Sequence, residues 1–198
     1  MYYDNLLKMR LQKNSKKPCN SGWTNKNNLR PDIPRIHGYN IGIPTGRVNN
    51  LLVVDIDIKD EGEIEFNKYL KMYGDIPTLK IQTPSGGYHY YFNYTTDNVN
   101  DQFLIDTSLL TKTKYRGKGI DIRSNGGYVV GLTSTIDNIP YKLYNCYHST
   151  PVINIPSTLI KFLLDTEYKN IKICKDTIKN NKDTIKINEN NIKLMIMI

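Results

Sequence analysis

The chain has 198 residues, 39% of them hydrophobic and 23% charged, which is typical of a soluble globular protein with its own core. No run approaches the roughly 18 consecutive apolar residues that a membrane span requires, and the N-terminus MYYDNLLKMR lacks the apolar segment of a secretory signal. The formal charge of +8 favours an anionic partner, with nucleic acid as the first candidate. We therefore expect an intracellular, soluble protein with no membrane partner.

The three cysteines, Cys19, Cys146 and Cys174, are odd in number and widely separated. This arrangement argues against a disulfide framework and favours a reducing compartment. No zinc site is expected, because the chain has no CxxC pair and Cys146 with His148 supplies only two ligands.

The N-terminal part of the chain changes from a helical to an extended pattern. Apolar residues among charges predict a short amphipathic helix over residues 2–13, and the polar segment 14–35 predicts a loop that contains Trp23. The sequence then becomes typical of strands: YNIGIPTG at 39–46 predicts a short strand, and LLVVDIDI at 51–58 is strongly β-prone.

The middle of the chain combines two helical patterns with four strand patterns. Apolar residues among charges predict a helix over 61–73, and a second helix is predicted over 157–168, after Pro156. Between them lie four strand candidates separated by turn residues: LKIQT, GYHYYFNY, GIDIRS and GGYVVGL. A few helices among many strands indicate an α/β or α+β domain.

The segment 169–198 differs in composition from the rest of the chain. It is rich in asparagine, lysine and isoleucine, and KDTIK occurs twice, at 175–179 and 182–186. Isoleucines fall seven residues apart, as in a heptad helix, but the companion positions include cysteine and asparagine, which favours a low-complexity tail. The predicted organisation is a domain over residues 1–168 followed by a tail over 169–198.

The strand pattern LLVVDIDI carries two acidic residues, Asp55 and Asp57. Residues two apart on a strand project from the same face, so Val54, Ile56 and Ile58 are expected to point the other way, into the core. Two carboxylates about 7 Å apart repel one another unless a cation lies between them, and Mg²⁺ and Mn²⁺ prefer such oxygen ligands. The alternative interpretation is a strand end with two solvated aspartates.

A second acidic strand pattern, GIDIRS, places Asp121 between two isoleucines, with Arg123 on the same face. Three carboxylates from two strands can hold a pair of metal ions of the kind that phosphoryl-transfer enzymes use. The alternative is a surface ion pair between Asp121 and Arg123.

The segment TPSGGYHYYF places His89 and Tyr91 on one face of a strand and three other aromatic residues on the opposite face. The preceding turn, Ser85-Gly86-Gly87, allows backbone N–H groups to approach a ligand closely, as phosphate-binding loops do. A histidine beside such a turn can donate a hydrogen bond to a phosphate oxygen, although a single histidine in an aromatic strand is more often packed in the core.

The order of these motifs resembles the primase–polymerase (prim-pol) domain of the archaeo-eukaryotic primase superfamily. That family carries a DxD or DxE motif, then an SxH-like motif, then a third acidic residue on a later strand. The matching residues here are Asp55 and Asp57, then His89 in SGGYH, then Asp121. SGGYH is two residues longer than SxH, so the match rests on His89 rather than on Ser85.

Upstream features extend the resemblance to residues 14–160. They are KKP at 16–18, Trp23 and GYNIGIPTG at 38–46, which are typical of the bifunctional branch found in plasmids and large DNA viruses. The resemblance implies an α/β (α+β) fold of two layers, with an RRM-like catalytic sheet and a smaller N-terminal α/β unit.

The resemblance also implies a function, that of a template-directed nucleotidyltransferase, a DNA primase/polymerase of DNA replication. The primer 3′-hydroxyl would attack the α-phosphate of an incoming nucleotide, and pyrophosphate would leave. The catalytic residues, Asp55, Asp57 and Asp121, would bind two Mg²⁺ or Mn²⁺ ions. The residues assigned to nucleotide binding are His89, Ser85, Gly86, Gly87, Lys118, Arg123, Asn40 and Thr45, with Arg116 a weaker candidate.

Two of these assignments have structural alternatives. Asn40 and Thr45, with the glycines around them, either shape the nucleotide pocket or form a structural turn. Lys17 and Trp23 either contact the template or pack within the N-terminal unit, and packing is favoured for Trp23.

The partners implied are a single-stranded DNA template with its primer and a nucleoside triphosphate, NTP or dNTP. The chain has no GxxxxGK[ST] motif and hence no P-loop motor, so a helicase is expected as a separate domain or as a subunit acting in trans.

Two other functions remain open at this point. A metal-dependent nuclease would use the same carboxylates with water in place of the 3′-hydroxyl, and it would not need to bind a triphosphate. A non-catalytic nucleic-acid-binding module would not need the acidic residues at all. A rolling-circle nuclease is set aside, because its second histidine is replaced here by Tyr91.

Overall fold

The structure is a computed structural model that describes residues 5–33, 38–115, 119–144 and 150–164. The described residues up to Leu164 form one compact unit. The predicted tail, 169–198, lies outside the described residues, so the predicted domain boundary stays a prediction.

The described residues form three α-helices and twelve short strands. The helices are α1 (Gly62–Tyr73), α2 (Val99–Thr107) and α3 (Ser157–Leu164). The strands are β1 (Met9–Leu11), β2 (Asn40–Pro44), β3 (Leu51–Ile56), β4 (Lys80–Gln82), β5 (Tyr88–Asn93), β6 (Lys112–Tyr115), β7 (Ile120–Arg123), β8 (Tyr128–Val130), β9 (Thr135–Ile136), β10 (Ile139–Pro140), β11 (Lys142–Leu143) and β12 (Ile153–Asn154).

The main sheet has the strand order β11-β4-β5-β3-β7-β6, and β12 pairs in parallel with the end of β5. All other pairings in this sheet are antiparallel. Strand β3 lies near the centre, between β5 and β7, and its first four residues are fully buried. A run of leucine and valine buried on both faces explains why this segment forms the central strand.

One face of the main sheet is covered by helices α1 and α3. Phe66 of α1 packs on Tyr90 of β5, with ring centroids 5.0 Å apart, and on Phe162 of α3 at 6.5 Å. The aromatic side of β5 therefore anchors the strand against the helices, which leaves His89 and Tyr91 on the opposite face.

The opposite face of the main sheet packs on a second, smaller sheet with the strand order β1-β2-β8. Val53 and Tyr91 of the main sheet share one hydrophobic core with Met9, Ile43 and Val129 of the small sheet. Strand β8 follows β7 directly in sequence, yet the two strands belong to different sheets. The turn between them therefore connects the two sheets.

The predicted fold class, mixed α/β (α+β), is confirmed by helices packed on antiparallel sheets. The predicted strands in segments 39–46, 51–58 and the four later motifs are present, as are the helices predicted over 61–73 and from residue 157. The described N-terminal strands form a small sheet, but its third strand, β8, comes from the second half of the chain.

The helix predicted over residues 2–13 is wrong, because Met9–Leu11 is strand β1. Met9 and Leu11 are buried while Arg10 between them is exposed, which is the alternation of a strand. Helix α2 was not predicted. Two of its apolar residues, Val99 and Phe103, are exposed, so the helix has only a weak apolar face. None of the helices in the described ranges has both the length and the apolar character needed to cross a bilayer.

Candidate active site

Three neighbouring strands bring Asp55, His89 and Asp121 side by side. In the antiparallel pairings, Asp55 of β3 lies directly opposite His89 of β5 on one side and Asp121 of β7 on the other. Directly paired residues project from the same face of a sheet. The three motifs thus meet on the face that packs against the small sheet.

Arg123 lies between the two carboxylates. A guanidinium nitrogen of Arg123 is 2.6 Å from a carboxylate oxygen of Asp121 and 3.9 Å from one of Asp55. The contact with Asp121 is a charge-assisted hydrogen bond, and the contact with Asp55 is a longer ion pair. The ion pair between Asp121 and Arg123, which was the alternative to the metal interpretation, is therefore present, but it is partly buried and extends to Asp55.

His89 is almost fully buried, and its Nε2 lies 3.5 Å from Oδ1 of Asp55. Burial lowers the pKa of His89 below its ordinary value, and the positive charges of Lys16 and Arg123 add to this, whereas the carboxylate of Asp55 opposes it. The imidazole is therefore neutral at pH 7. Its Nδ1 has no hydrogen-bond partner among the described residues, which is unusual for a buried polar atom.

A cleft of about 260 Å³ opens over Asp55, His89 and Arg123, and Asp121 is not among the residues that line it. Its walls come from the main sheet, from the turn after β7, from β8 and from two distant segments of the chain. The lining residues are Lys16, Asp55, His89, Thr111, Arg123, Gly126, Gly127, Tyr128, Val129, Val130 and Tyr141. A cleft that combines a carboxylate, cations and aromatic rings can bind a polar, charged ligand with a planar part.

Sequence analysis missed two aromatic walls of the cleft. The ring of Tyr141 lies 5.6 Å from that of His89, and burial raises the pKa of the Tyr141 phenol, with a further contribution from Asp55. The phenol of Tyr128 donates to the backbone oxygen of Lys16 at 2.9 Å, and burial raises its pKa as well. Tyr128 stands in the strand motif GGYVV, but no local pattern indicated that this motif faces the cleft.

Trp23 packs edge to face on Tyr128, with ring centroids 5.0 Å apart. The packing role favoured for Trp23 is thus what the structure shows. Lys16 lies on a turn, residues 12–18, which is held by hydrogen bonds from Tyr128 and from Asn40, whose side chain donates to the Ser15 oxygen. These contacts place Lys16 at the wall of the cleft.

Asp57 does not share the strand with Asp55, because β3 ends at Ile56. The Asp57 N–H donates to the oxygen of Gly119 at 2.6 Å, and its carboxylate accepts from the Lys59 N–H at 2.9 Å. Ile58, expected in the core, is 39% exposed. The prediction that the alternation of a strand continues through residue 58 is wrong, because β3 ends at Ile56 and the chain then turns towards α1.

The Ser85-Gly86-Gly87 turn forms a closed hairpin turn. The Gly86 N–H donates to the oxygen of Thr83 at 3.0 Å, and the Thr83 N–H donates to the oxygen of Gly87 at 2.9 Å. A Cβ on Gly87 would lie 2.2 Å from the oxygen of Ile56, so close packing on β3 explains this glycine. The turn lies outside the set of residues that line the cleft, and its role in phosphate binding stays a prediction.

Asn40 and Thr45 both hold backbone segments together. The Asn40 side chain donates to the oxygen of Thr135 at 2.7 Å and accepts from the Thr135 N–H at 3.0 Å. The Thr45 hydroxyl donates to the oxygen of Ser124 at 2.6 Å. These contacts support the structural alternative for the two residues. Lys118 and Arg116 lie outside the described residues.

The two carboxylates, Asp55 and Asp121, occupy directly paired positions on β3 and β7. Asp55 and Asp121 offer hard oxygen ligands on one face and already hold a cationic group between them. Asp57 does not join them, and within the described ranges no group of three or more acidic, histidine or cysteine side chains is placed to hold a metal ion. The oxygen donors of Asp55 and Asp121 are of the kind that Mg²⁺ and Mn²⁺ prefer, and the guanidinium of Arg123 occupies the position between them.

The chain matches the family model Prim-Pol, described as bifunctional DNA primase/polymerase, N-terminal, over residues 6–158. The matched region extends from just before β1 into α3 and contains every residue of the carboxylate and histidine motifs. A search of curated proteins finds no match.

Proposed function

The chain belongs to the Prim-Pol family of bifunctional DNA primase/polymerase N-terminal domains, and we propose that it is a template-directed nucleotidyltransferase that extends a 3′-hydroxyl in DNA replication. The family implies DNA primase/polymerase activity. The observation that carries the mechanism is the register of Asp55 opposite both His89 and Asp121, beside a cleft that Asp55 and His89 line. The upstream motifs further favour the plasmid and large-DNA-virus branch.

Asp55 and Asp121 would hold the metal ions, and Asp57, which the resemblance also assigns to them, would have to turn away from the Lys59 N–H to take part. When bound, two Mg²⁺ or Mn²⁺ ions would supply Lewis-acid activation of the 3′-hydroxyl and charge stabilisation of the departing pyrophosphate. The contribution of the protein is to fix two of these carboxylates on a central, buried strand pair, where they need little reorganisation.

His89 would contact the triphosphate. Its Nδ1 is buried without a partner among the described residues. In the tautomer that carries the proton on Nδ1, this nitrogen would donate to a phosphate oxygen, and Nε2, 3.5 Å from Asp55, would be unprotonated. Tyr128 and Tyr141 line the same cleft, where their rings can pack against the planar or apolar parts of a nucleotide.

Primer extension on a single-stranded template tests this function directly. With Mn²⁺ or Mg²⁺ and dNTPs, the wild-type chain is expected to lengthen the primer. In His89→Ala, kcat/KM for the dNTP is expected to fall by about 10- to 100-fold, because a hydrogen bond to a charged group contributes about 1.5–3 kcal/mol. Primer binding, measured by fluorescence anisotropy, should not change.

His89→Gln is the matched control, because it keeps a hydrogen-bond donor and should lose less activity than the alanine variant. Equal kcat/KM values for wild type and His89→Ala would exclude the assignment of His89. A primer that is shortened instead of lengthened would favour the nuclease.

The N-terminal segment offers a surface for the template strand. Residues 5–33 contain seven lysines and arginines and a single acidic residue, Asp32. Within this segment Lys13, Lys16 and Lys17 are exposed on the turn that borders the cleft. Phosphate groups of single-stranded DNA are the partner that such a cluster attracts.

The triple variant Lys13→Gln/Lys16→Gln/Lys17→Gln is therefore expected to bind single-stranded DNA more weakly. The plot of log affinity against log salt concentration should lose a slope of about two, because each lost phosphate contact contributes about 0.7. Fluorescence anisotropy of a labelled oligonucleotide at several salt concentrations measures this slope.

A triple variant of helical lysines, Lys68→Gln/Lys71→Gln/Lys161→Gln, loses the same charge on the opposite side of the main sheet and serves as control. If both triple variants lower the salt slope equally, net charge rather than the turn determines binding. A helicase domain or subunit acting in trans stays a prediction.

A further inference from the structure

The bridging position of Arg123 has a consequence for metal binding. Its guanidinium contacts both Asp121 and Asp55, the two carboxylates that the proposed function assigns to the metal ions. Like charges on directly paired strand positions destabilise a sheet, and a cation between them removes that repulsion. Arg123 therefore neutralises the carboxylate pair.

We infer that Arg123 is a built-in counter-cation that competes with the divalent ion for Asp55 and Asp121 and passes to the triphosphate when the ion binds. The inference rests on the proposed function. It gives Arg123 two alternative sets of partners, the carboxylates and the phosphates.

The backbone of Arg123 is held in the sheet, whereas its side chain is partly exposed at the cleft. Its Cα pairs with Val53 in the centre of the sheet, so the residue cannot withdraw as a whole. Its side chain is 25% exposed and lines the cleft, in which a bound triphosphate would lie. A guanidinium has five donors in a planar fork that suits phosphate as well as carboxylate.

Competition of this kind couples the two ligands. A divalent ion that binds alone must break the contacts of Arg123 and leave the guanidinium without an anionic partner. A triphosphate provides a replacement, so each ligand should increase the affinity for the other. A static ion pair with no part in metal binding would produce no such coupling.

Mn²⁺ titration of the full chain, followed by the electron paramagnetic resonance signal of free Mn²⁺, tests the inference without turnover. Without nucleotide, Arg123→Gln is expected to bind Mn²⁺ about tenfold more tightly than wild type, since a positive charge within a few ångströms opposes a divalent ion. A non-hydrolysable dNTP analogue supplies phosphate ligands for Mn²⁺ in both proteins. In wild type it also provides a new partner for Arg123. The factor by which the analogue increases the Mn²⁺ affinity should therefore be larger in wild type than in Arg123→Gln.

Arg123→Lys keeps the positive charge and is expected to bind Mn²⁺ with nearly wild-type affinity in the absence of nucleotide. Asp121→Asn should weaken Mn²⁺ binding both in wild type and in the Arg123 variants. This result would assign the titrated site to the carboxylate pair. Circular dichroism confirms that each variant is folded before titration.

Mn²⁺ affinity in Arg123→Gln that equals or falls below that of wild type would overturn the inference, while primer extension by the wild type would still support the proposed function. Tighter Mn²⁺ binding in Arg123→Gln by a chain that does not extend primers would support the inference and overturn the polymerase function. Absence of Mn²⁺ binding in both proteins would overturn the competition and the metal assignment together.

Discussion

Asp55→Asn and Asp121→Asn are each expected to reduce primer extension by about a thousandfold, the largest effect predicted for any single residue here. A metal ion contributes several kcal/mol of transition-state stabilisation, and a factor of ten in rate corresponds to about 1.4 kcal/mol. Each asparagine removes a negative charge from the pair that would hold the ion. Single-turnover extension with saturating dNTP and Mn²⁺ measures the loss in the chemical step.

The matched control is Asp97→Asn, which removes an exposed carboxylate between β5 and α2, away from the cleft lining. It should extend primers at the wild-type rate. Thermal unfolding of Asp55→Asn and Asp121→Asn should show that both remain folded, because the substitution keeps the shape of the side chain. Wild-type extension by a folded Asp55→Asn or Asp121→Asn protein would refute the metal assignment.

Gly62→Ala is expected to lower the free energy of unfolding by about 3 kcal/mol, at the upper end of the cost of forcing extra atoms into a packed site. A Cβ on Gly62 would lie 1.9 Å from the backbone oxygen of Gly119 and 2.8 Å from that of Asp57. No side-chain rotation relieves a contact with backbone atoms, so the loop that carries Asp57 must move. Urea denaturation followed by circular dichroism measures the change.

Gly22→Ala provides the control for this substitution. Its Cβ would meet only the side-chain amide of Asn28, at 2.9 Å, and rotation of this amide breaks no more than its exposed hydrogen bond to the Gly22 oxygen. The urea midpoint of Gly22→Ala should therefore stay close to that of wild type. If the two alanine variants unfold at the same urea concentration, the close approach of Gly62 to the Gly119 backbone does not constrain the loop that carries Asp57.

The central part of the candidate site could be predicted from sequence, because alternation along a strand is a local property. Asp55 and Asp121 each interrupt an apolar strand pattern, and His89 follows from a third strand with an aromatic face. The period of two determines which side chains share a face of a strand. The family resemblance linked the three motifs through their order along the chain. The pair between Asp121 and Arg123 was predictable for the same reason.

The walls of the cleft could not be predicted, since they depend on pairings between distant segments. Lys16 and Tyr128 meet because β2 pairs with both β1 and β8. The bridge from Arg123 to Asp55 likewise exists only once β3 and β7 are in register. A strand of three residues such as β1 is too short to distinguish from a helical turn by periodicity, and this led to the wrong helix over residues 2–13.

The place of β8 in the small sheet constrains the order of folding. β2 lies between β1, about thirty residues before it, and β8, about ninety residues after it, so the N-terminal sheet cannot be completed until most of the domain has been synthesised. Until then β2 has an unpaired edge, and an unpaired edge favours aggregation. The first fifty residues are therefore not a detachable module: cutting the chain before β3 would separate strands that form one sheet.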